Sequence, residues 1–231
     1  MKKNLRLLFL LTVIPMLFGC ATQRSWVYHP NQKSLDNIVK TDKTVVTMPF
    51  KDKRDNENIN HVLLYMVPLA LYGSQDFSVP EGSQMHITSG LWINYKPTED
   101  FAKALAEELQ GIGLFKEAYF DFKSGNANYV IQGTILNTDY NGKIFSYCLS
   151  VYGPILWFIG FPNATVENNL EIELTCTDTS SGNTVLTKRY KAEPVSNVSW
   201  IYHMSNDFNY PEMLQSIYLE FSKDLQPLIK P

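Results

Sequence analysis

The chain has 231 residues, of which 45% are hydrophobic, 19% charged and 13% aromatic, with 20 Lys and Arg against 23 Asp and Glu. That composition excludes a disordered polymer, a multi-span membrane protein and a disulfide-dense miniprotein. The formal net charge of −3 falls to −6 once the three cations of the first 19 residues are removed, which excludes a strongly basic nucleic-acid binder.

Lys2, Lys3 and Arg6 form a basic start, residues 7–18 form an apolar run, and Gly19 precedes Cys20. This order predicts a secretory signal over residues 1–19, too short for a stable membrane span. The run Leu17-Phe18-Gly19-Cys20 resembles the lipobox of bacterial lipoproteins. The resemblance implies that the Cys20 thiol receives a diacylglycerol, that cleavage makes Cys20 the new N-terminus, and that its amine takes a further acyl chain of the palmitate kind. Several acyl chains suffice for stable anchoring. Ala21 rather than Asp follows the cysteine, which by the same resemblance implies the outer membrane, facing the periplasm. The alternative is an ordinary secreted protein whose signal ends near a cysteine.

Residues 20–43 read as a lipidated tether, polar from Gln23 to Ser34 except for Trp26, Val27 and Tyr28, which either rest at the lipid interface or dock on the domain. A single periplasmic domain is expected over 44–231. Its first element is a strand at 44–50 built on Val45, Val46 and Met48, ended by an exposed charged turn at 51–55 in which Asp52 and Arg54 form a local ion pair. A helix follows from 97, with Thr98 as cap, Glu99 and Asp100 in the first turn, Phe101, Leu105 and Leu109 on one face, and Gly111 and Gly113 at its end. Strands are expected at 114–122 and 129–139. The clearest hairpin alternates Leu170, Ile172, Leu174 and Cys176 with polar residues, turns at Ser180-Ser181-Gly182-Asn183 and returns over 184–192. Asn209 and Glu212 bracket Pro211 as a capping box for a last helix carrying Leu214, Ile217, Tyr218, Phe221 and Leu225. The fold class is therefore α+β: a mixed or mostly antiparallel sheet covered by two amphipathic helices, with two apolar insertions.

The insertions are residues 62–72 (VLLYMVPLALY) and 151–162 (VYGPILWFIGFP), each about half the length of a membrane-spanning helix. Either they pack into the core, the usual fate of such runs, or they form a contact surface for a partner or for lipid through Tyr65, Met66, Leu69, Trp157, Phe158 and Phe161. In both cases Trp157, Phe158 and Phe161 are expected to cluster with Leu64, Tyr65 and Leu69.

Chemistry has little support. His29, His61, His86 and His203 show no metal-ligand spacing, and no nucleophile elbow, phosphate loop or dinucleotide fingerprint is present. Glu107-Glu108 and Glu171 with Glu173 lie on a helix and on a wet strand face, with nothing in the sequence to bury one and raise its pKa. No enzyme, cofactor or metal is expected. Cys148 and Cys176 either pair as a disulfide around the second insertion, or Cys176 is a small buried hydrophobe.

The lipoprotein leader, the strand ending Met48-Pro49-Phe50 with Asp52 and Arg54 beyond it, the helix from Phe101 to Leu109 followed by Gly113, and the later strands with a closing helix resemble a group of envelope proteins. The group comprises the amino-terminal domain of TolB, the lipoprotein activator of penicillin-binding proteins and the curli secretion lipoprotein. The resemblance implies a small α/β domain that binds proteins or assembles into rings. The expected function is a membrane-anchored envelope lipoprotein that binds an envelope protein through its periplasmic domain. The alternative is a self-assembling secretion or transport-accessory lipoprotein, a homo-oligomer using the insertions as contacts. Nucleic acid is not an expected partner.

Overall fold

A computed structural model describes residues 23–31, 40–80, 84–87, 90–93, 95–204 and 206–229. The leader, Cys20 and residues 32–39 of the expected tether lie outside the described residues. In chain order the elements are β1 (Gln23–Ser25), β2 (Thr44–Asp52), β3 (Asn58–His61), β4 (Tyr72–Phe77), β5 (Met85–His86), β6 (Gly90–Ile93), α1 (Pro97–Ile112), β7 (Glu117–Phe120) and β8 (Tyr129–Asn137). They continue as β9 (Tyr140–Phe145), α2 (Pro154–Phe158), β10 (Ala164–Asn168), β11 (Glu171–Asp178), β12 (Thr184–Lys191), β13 (Val195–Ser199) and α3 (Tyr210–Leu225).

The first sheet is mixed, in the order β12-β11-β8-β2-β7. β2 runs parallel to both β7 and β8, and the hairpin β11–β12 adds to β8 antiparallel. Period-2 burial along β8 and β11 turns Ile131, Ile135, Ile172, Leu174 and Cys176 to one face, where α1 and α3 cover them. α1 contributes Phe101, Leu105, Leu109 and Ile112, and α3 contributes Leu214, Ile217, Tyr218, Phe221 and Leu225. The α+β class stands. Each helix starts differently from expectation. Thr98 makes no cap. Instead Asp100 Oδ2 accepts the Lys96 N–H at 2.7 Å, and Gly113, at φ +76°, closes the helix by donating its N–H to the Leu109 carbonyl. The Asn209–Glu212 box does not form either, because the Asn209 amide is turned to Asn168 and Asn197.

A second sheet was not foreseen. It is antiparallel, in the order β13-β10-β9-β4-β3, and it begins where β8 hands on to β9. At that junction Phe77 stacks on Tyr140 at 5.9 Å, while His86, Tyr95, Phe208 and Tyr210 continue the aromatic packing. Arg54 belongs here as well. The expected Asp52–Arg54 ion pair forms on an exposed turn, but Arg54 is not solvated: its side chain is only 3% exposed, and the guanidinium donates to both Asp52 carboxylate oxygens and, at 2.7 Å, to Thr138 Oγ1. Thr138 Oγ1 donates in turn to the Ser78 carbonyl, so the group ties the two sheets together. These bonds, the side-chain ones first, hold the Asp52 carboxyl below its ordinary pKa.

Residues 26–31 dock. Trp26 packs on Tyr95 and Phe101 at 5.3 and 5.7 Å, and the Tyr28 hydroxyl and Asn31 N–H each donate to Glu108 Oε2 at 2.8 Å. Glu108 is fully buried, contrary to the sequence reading, and burial raises its pKa despite those two bonds. A carboxyl with a raised folded pKa binds its proton more tightly folded than unfolded. Its contribution is therefore most favourable at acid pH and is lost as pH rises from the ordinary carboxylate range through the folded value. Glu108→Gln keeps an acceptor for Tyr28 and Asn31 and removes the titration. The melting temperature of the variant minus that of the wild type should rise between pH 4 and pH 7; a flat difference would show that Glu108 is not strained by burial.

Candidate contact surface

β4 and β9 are neighbours, with Tyr72 opposite Phe145, so the first insertion, which leads into β4, and the second, which follows β9, emerge at the same end of the antiparallel sheet. The first makes a 3-10 turn at Val62–Met66. The second makes a 3-10 turn at Ser150–Tyr152 and the short helix α2, started by Pro154. The two are sewn together through residues 66–71 and 146–150. Leu71 O accepts the N–H groups of Ser146 and Tyr147, Ala70 O accepts the Cys148 N–H at 3.1 Å and the Ser146 hydroxyl at 2.6 Å, and the Ser150 hydroxyl donates to Met66 O. Other donors also turn inward: Trp157 Nε1 to Phe145 O, the Tyr147 hydroxyl to Pro162 O, and the Tyr202 hydroxyl to Phe158 O.

What faces outward is hydrocarbon. Leu69 is 84% exposed, Leu63 70% and Ile159 68%, and Met66, Val151, Tyr152, Ile155, Phe158, Phe161 and Tyr202 are exposed beside them. Residues 62–72 and 144–166 contain no Asp, Glu, Lys or Arg. Lys143 stands at the base with its amine 5.2 Å from the Tyr72 ring. Exposed apolar side chains gathered in this way are uncommon on a soluble domain, which makes this end the candidate contact surface. Backbone strain gathers here too: among the described residues, the non-glycine positions at positive φ are Leu69, Tyr147, Cys148 and Ser150, all in or beside the insertions. Such outliers persist only where surrounding structure enforces them, and they concentrate at functional sites.

Of the residues named from sequence, Met66, Leu69, Phe158 and Phe161 are exposed and Tyr65 and Trp157 half-buried. Sequence reading missed Leu63, Tyr152, Ile155, Ile159 and Tyr202. The first four lie inside the runs already marked. Tyr202 arrives from the turn after β13, which only the strand pairing of β13 with β10 brings to this end. Of the two readings of the cysteines the structure shows the second: Cys148 is an exposed free thiol just before the second insertion, whereas Cys176 is a free thiol buried in the first sheet, where burial pushes its pKa up to about 12. No group of three or more His, Cys, Asp or Glu converges as a metal site among the described residues, and no helix among them is long and apolar enough to cross a membrane.

No family model matches the chain. A leucine–tRNA ligase from Clostridium tetani is 30% identical over 90 residues, which is 38% of this chain and 11% of that enzyme, so the chain spans about a tenth of the length of the curated relative it matches. Among solved structures, a Xanthomonas campestris protein of family DUF330 is similar over 90% of this chain and 96% of its own, at 11% identity and a TM-score of 0.49. A variant PelC dodecamer from Paraburkholderia phytofirmans is similar over 85% and 92%, at 13% identity and a TM-score of 0.38.

Proposed function

We propose that this chain is a lipid-anchored lipoprotein of the outer membrane, facing the periplasm, that works by contact with another envelope component and not by catalysis. The observation that carries the reading is the apolar end of the antiparallel sheet: two charge-free insertions, bonded to each other and strained at four backbone positions, that expose large side chains instead of burying them. The leader ending in Cys20 supports the anchor, and the resemblance to envelope lipoproteins that bind proteins or form rings supports the mode of action.

Two measurements test it. Cys20→Ala should abolish metabolic incorporation of labelled palmitate into the protein, and a variant that still took up the label would remove the anchor. A photo-crosslinking side chain at Tyr152 should form adducts in intact cells, whereas one at Glu193, exposed on another face, should not. Leu69→Gly in the first of these backgrounds should abolish or weaken the adducts at unchanged or slightly raised melting temperature, because it removes an exposed contact and a left-handed non-glycine backbone together. Equal labelling from both positions would remove the contact surface.

A further inference from the structure

We infer that the apolar end is seated in the same membrane leaflet that holds the lipid on Cys20, so that the domain meets the bilayer at two points. The inference rests on the anchoring just proposed and names what covers the contact surface.

The direction of the first strand carries it. The turn that follows β5 lies on β9: the Ile87 N–H donates to the Tyr140 hydroxyl at 3.1 Å, and Ile87 Cδ1 packs against Gly142. β6 then leads toward Tyr95, which packs on Phe101 near the start of α1. β1 is parallel to β6, with Gln23 opposite Leu91 and Ser25 opposite Ile93. At Gln23 the first strand therefore points back from α1 toward the turn at Ile87, which sits on Tyr140 and Gly142 of β9. Cys20 is three residues before Gln23, a reach of at most about 11 Å. Along β9, Gly142 is three residues before Phe145, about 10 Å of strand, and Phe145 borders the insertions. An acyl anchor on Cys20, tethered within that reach of Gln23, leaves the apolar end free to meet the same leaflet.

The chemistry of the surface selects lipid over a protein partner. A protein interface of ordinary size carries about one hydrogen bond per 100–200 Å² and a polar rim. Here the hydroxyl or indole donors of Ser146, Tyr147, Ser150, Trp157 and Tyr202 close onto main-chain carbonyls of the same end. Hydrocarbon requires that arrangement, since an unsatisfied polar group costs several kcal/mol there. Exposed Tyr152 and Tyr202 are side chains of the kind that settle at the membrane interface, and Lys143, with its amine over the Tyr72 ring, is a cation of the kind that reaches lipid headgroups.

The structure supplies its own probe position. Cys148 is exposed at the entry to the second insertion and Cys176 is buried, so a thiol-reactive nitrobenzoxadiazole dye labels the lipidated full chain once. The labelled lipoprotein is reconstituted into phosphatidylethanolamine–phosphatidylglycerol vesicles and floated on a density gradient. The dye should shift to shorter emission wavelength and be quenched by phospholipids brominated along the acyl chain. Ile155→Asp with Phe158→Asp should return the emission to its value in water while flotation persists through the anchor. Flotation with water-like emission in the unsubstituted protein, or a blue shift that appears only after envelope proteins are added, overturns the membrane seat and leaves the anchor standing. Two dyes per chain with no flotation overturns the anchor itself, and the inference with it.

Discussion

Phe101→Ala should lower the free energy of unfolding by about 3–5 kcal/mol, the range for emptying a large aromatic from a packed core. Phe101 is fully buried near the start of α1 and touches three parts of the molecule. Its ring meets Trp26 of the docked N-terminal segment and Tyr95 of the chain entering the helix, and its carbonyl accepts the hydroxyl of Tyr218 from α3 at 2.8 Å. The truncation therefore empties volume shared by the N-terminal segment, α1 and α3, so relaxation from one side cannot fill it. Domains are stable by only about 5–15 kcal/mol, so urea unfolding should show a large drop in midpoint. Phe122→Ala, at a position 61% exposed, should stay within about 0.5 kcal/mol of the wild type. Similar costs at the two positions would mean that the core does not converge on α1.

The first sheet and its helices were legible because their residues carry local periods. β8 and β11 alternate buried and wet positions, and α1 and α3 repeat apolar residues at helical spacing. The second sheet lacked such a signal. β4 reads YGSQDF and β13 reads VSNVS, sequences poor in the residues that favour strands; they are strands because their ladders are completed by partners distant in the chain and because Phe77 and Tyr140 lock into the aromatic junction. Glu108 and Arg54 were misjudged for a related reason. Each looks like a surface charge in its own segment, and each is buried by residues from elsewhere, Tyr28 and Asn31 for one and Thr138 for the other. The apolar runs were visible as runs, but their exposure was not. It follows from the adjacency of β4 and β9, which sends both insertions past the end of the sheet, where neither α1 nor α3 covers them.

Gly153→Ala should dislocate the apolar end while leaving the first sheet folded, and Gly73→Ala should do the same from the other insertion. A Cβ on Gly153 would stand 2.5 Å from the Ser146 carbonyl oxygen and 2.6 Å from Ser146 Cα, distances that no Cβ tolerates and that no side-chain rotation relieves. A Cβ on Gly73 would overlap the carbonyl of Val62. Ser146 cannot retreat without breaking its bonds to Ala70 and Leu71, which join the two insertions. The cost, about 1–3 kcal/mol or more for overpacking, is concentrated where the backbone is already strained at Tyr147, Cys148 and Ser150. Amide exchange should therefore accelerate across residues 146–163 while β8, α1 and α3 keep their protection, since local opening draws on local contacts. The Cys148 thiol should react faster, and membrane quenching of a dye at that position should fall. Gly111→Ala provides the contrast: its Cβ meets only Pro30 Cβ at 3.6 Å, so in a helix it should stabilise by about 0.5–1 kcal/mol. If Gly153→Ala left exchange at 146–163 unchanged, the insertions would not be held by this close backbone packing. Global loss of protection would instead make the apolar end part of the cooperative core.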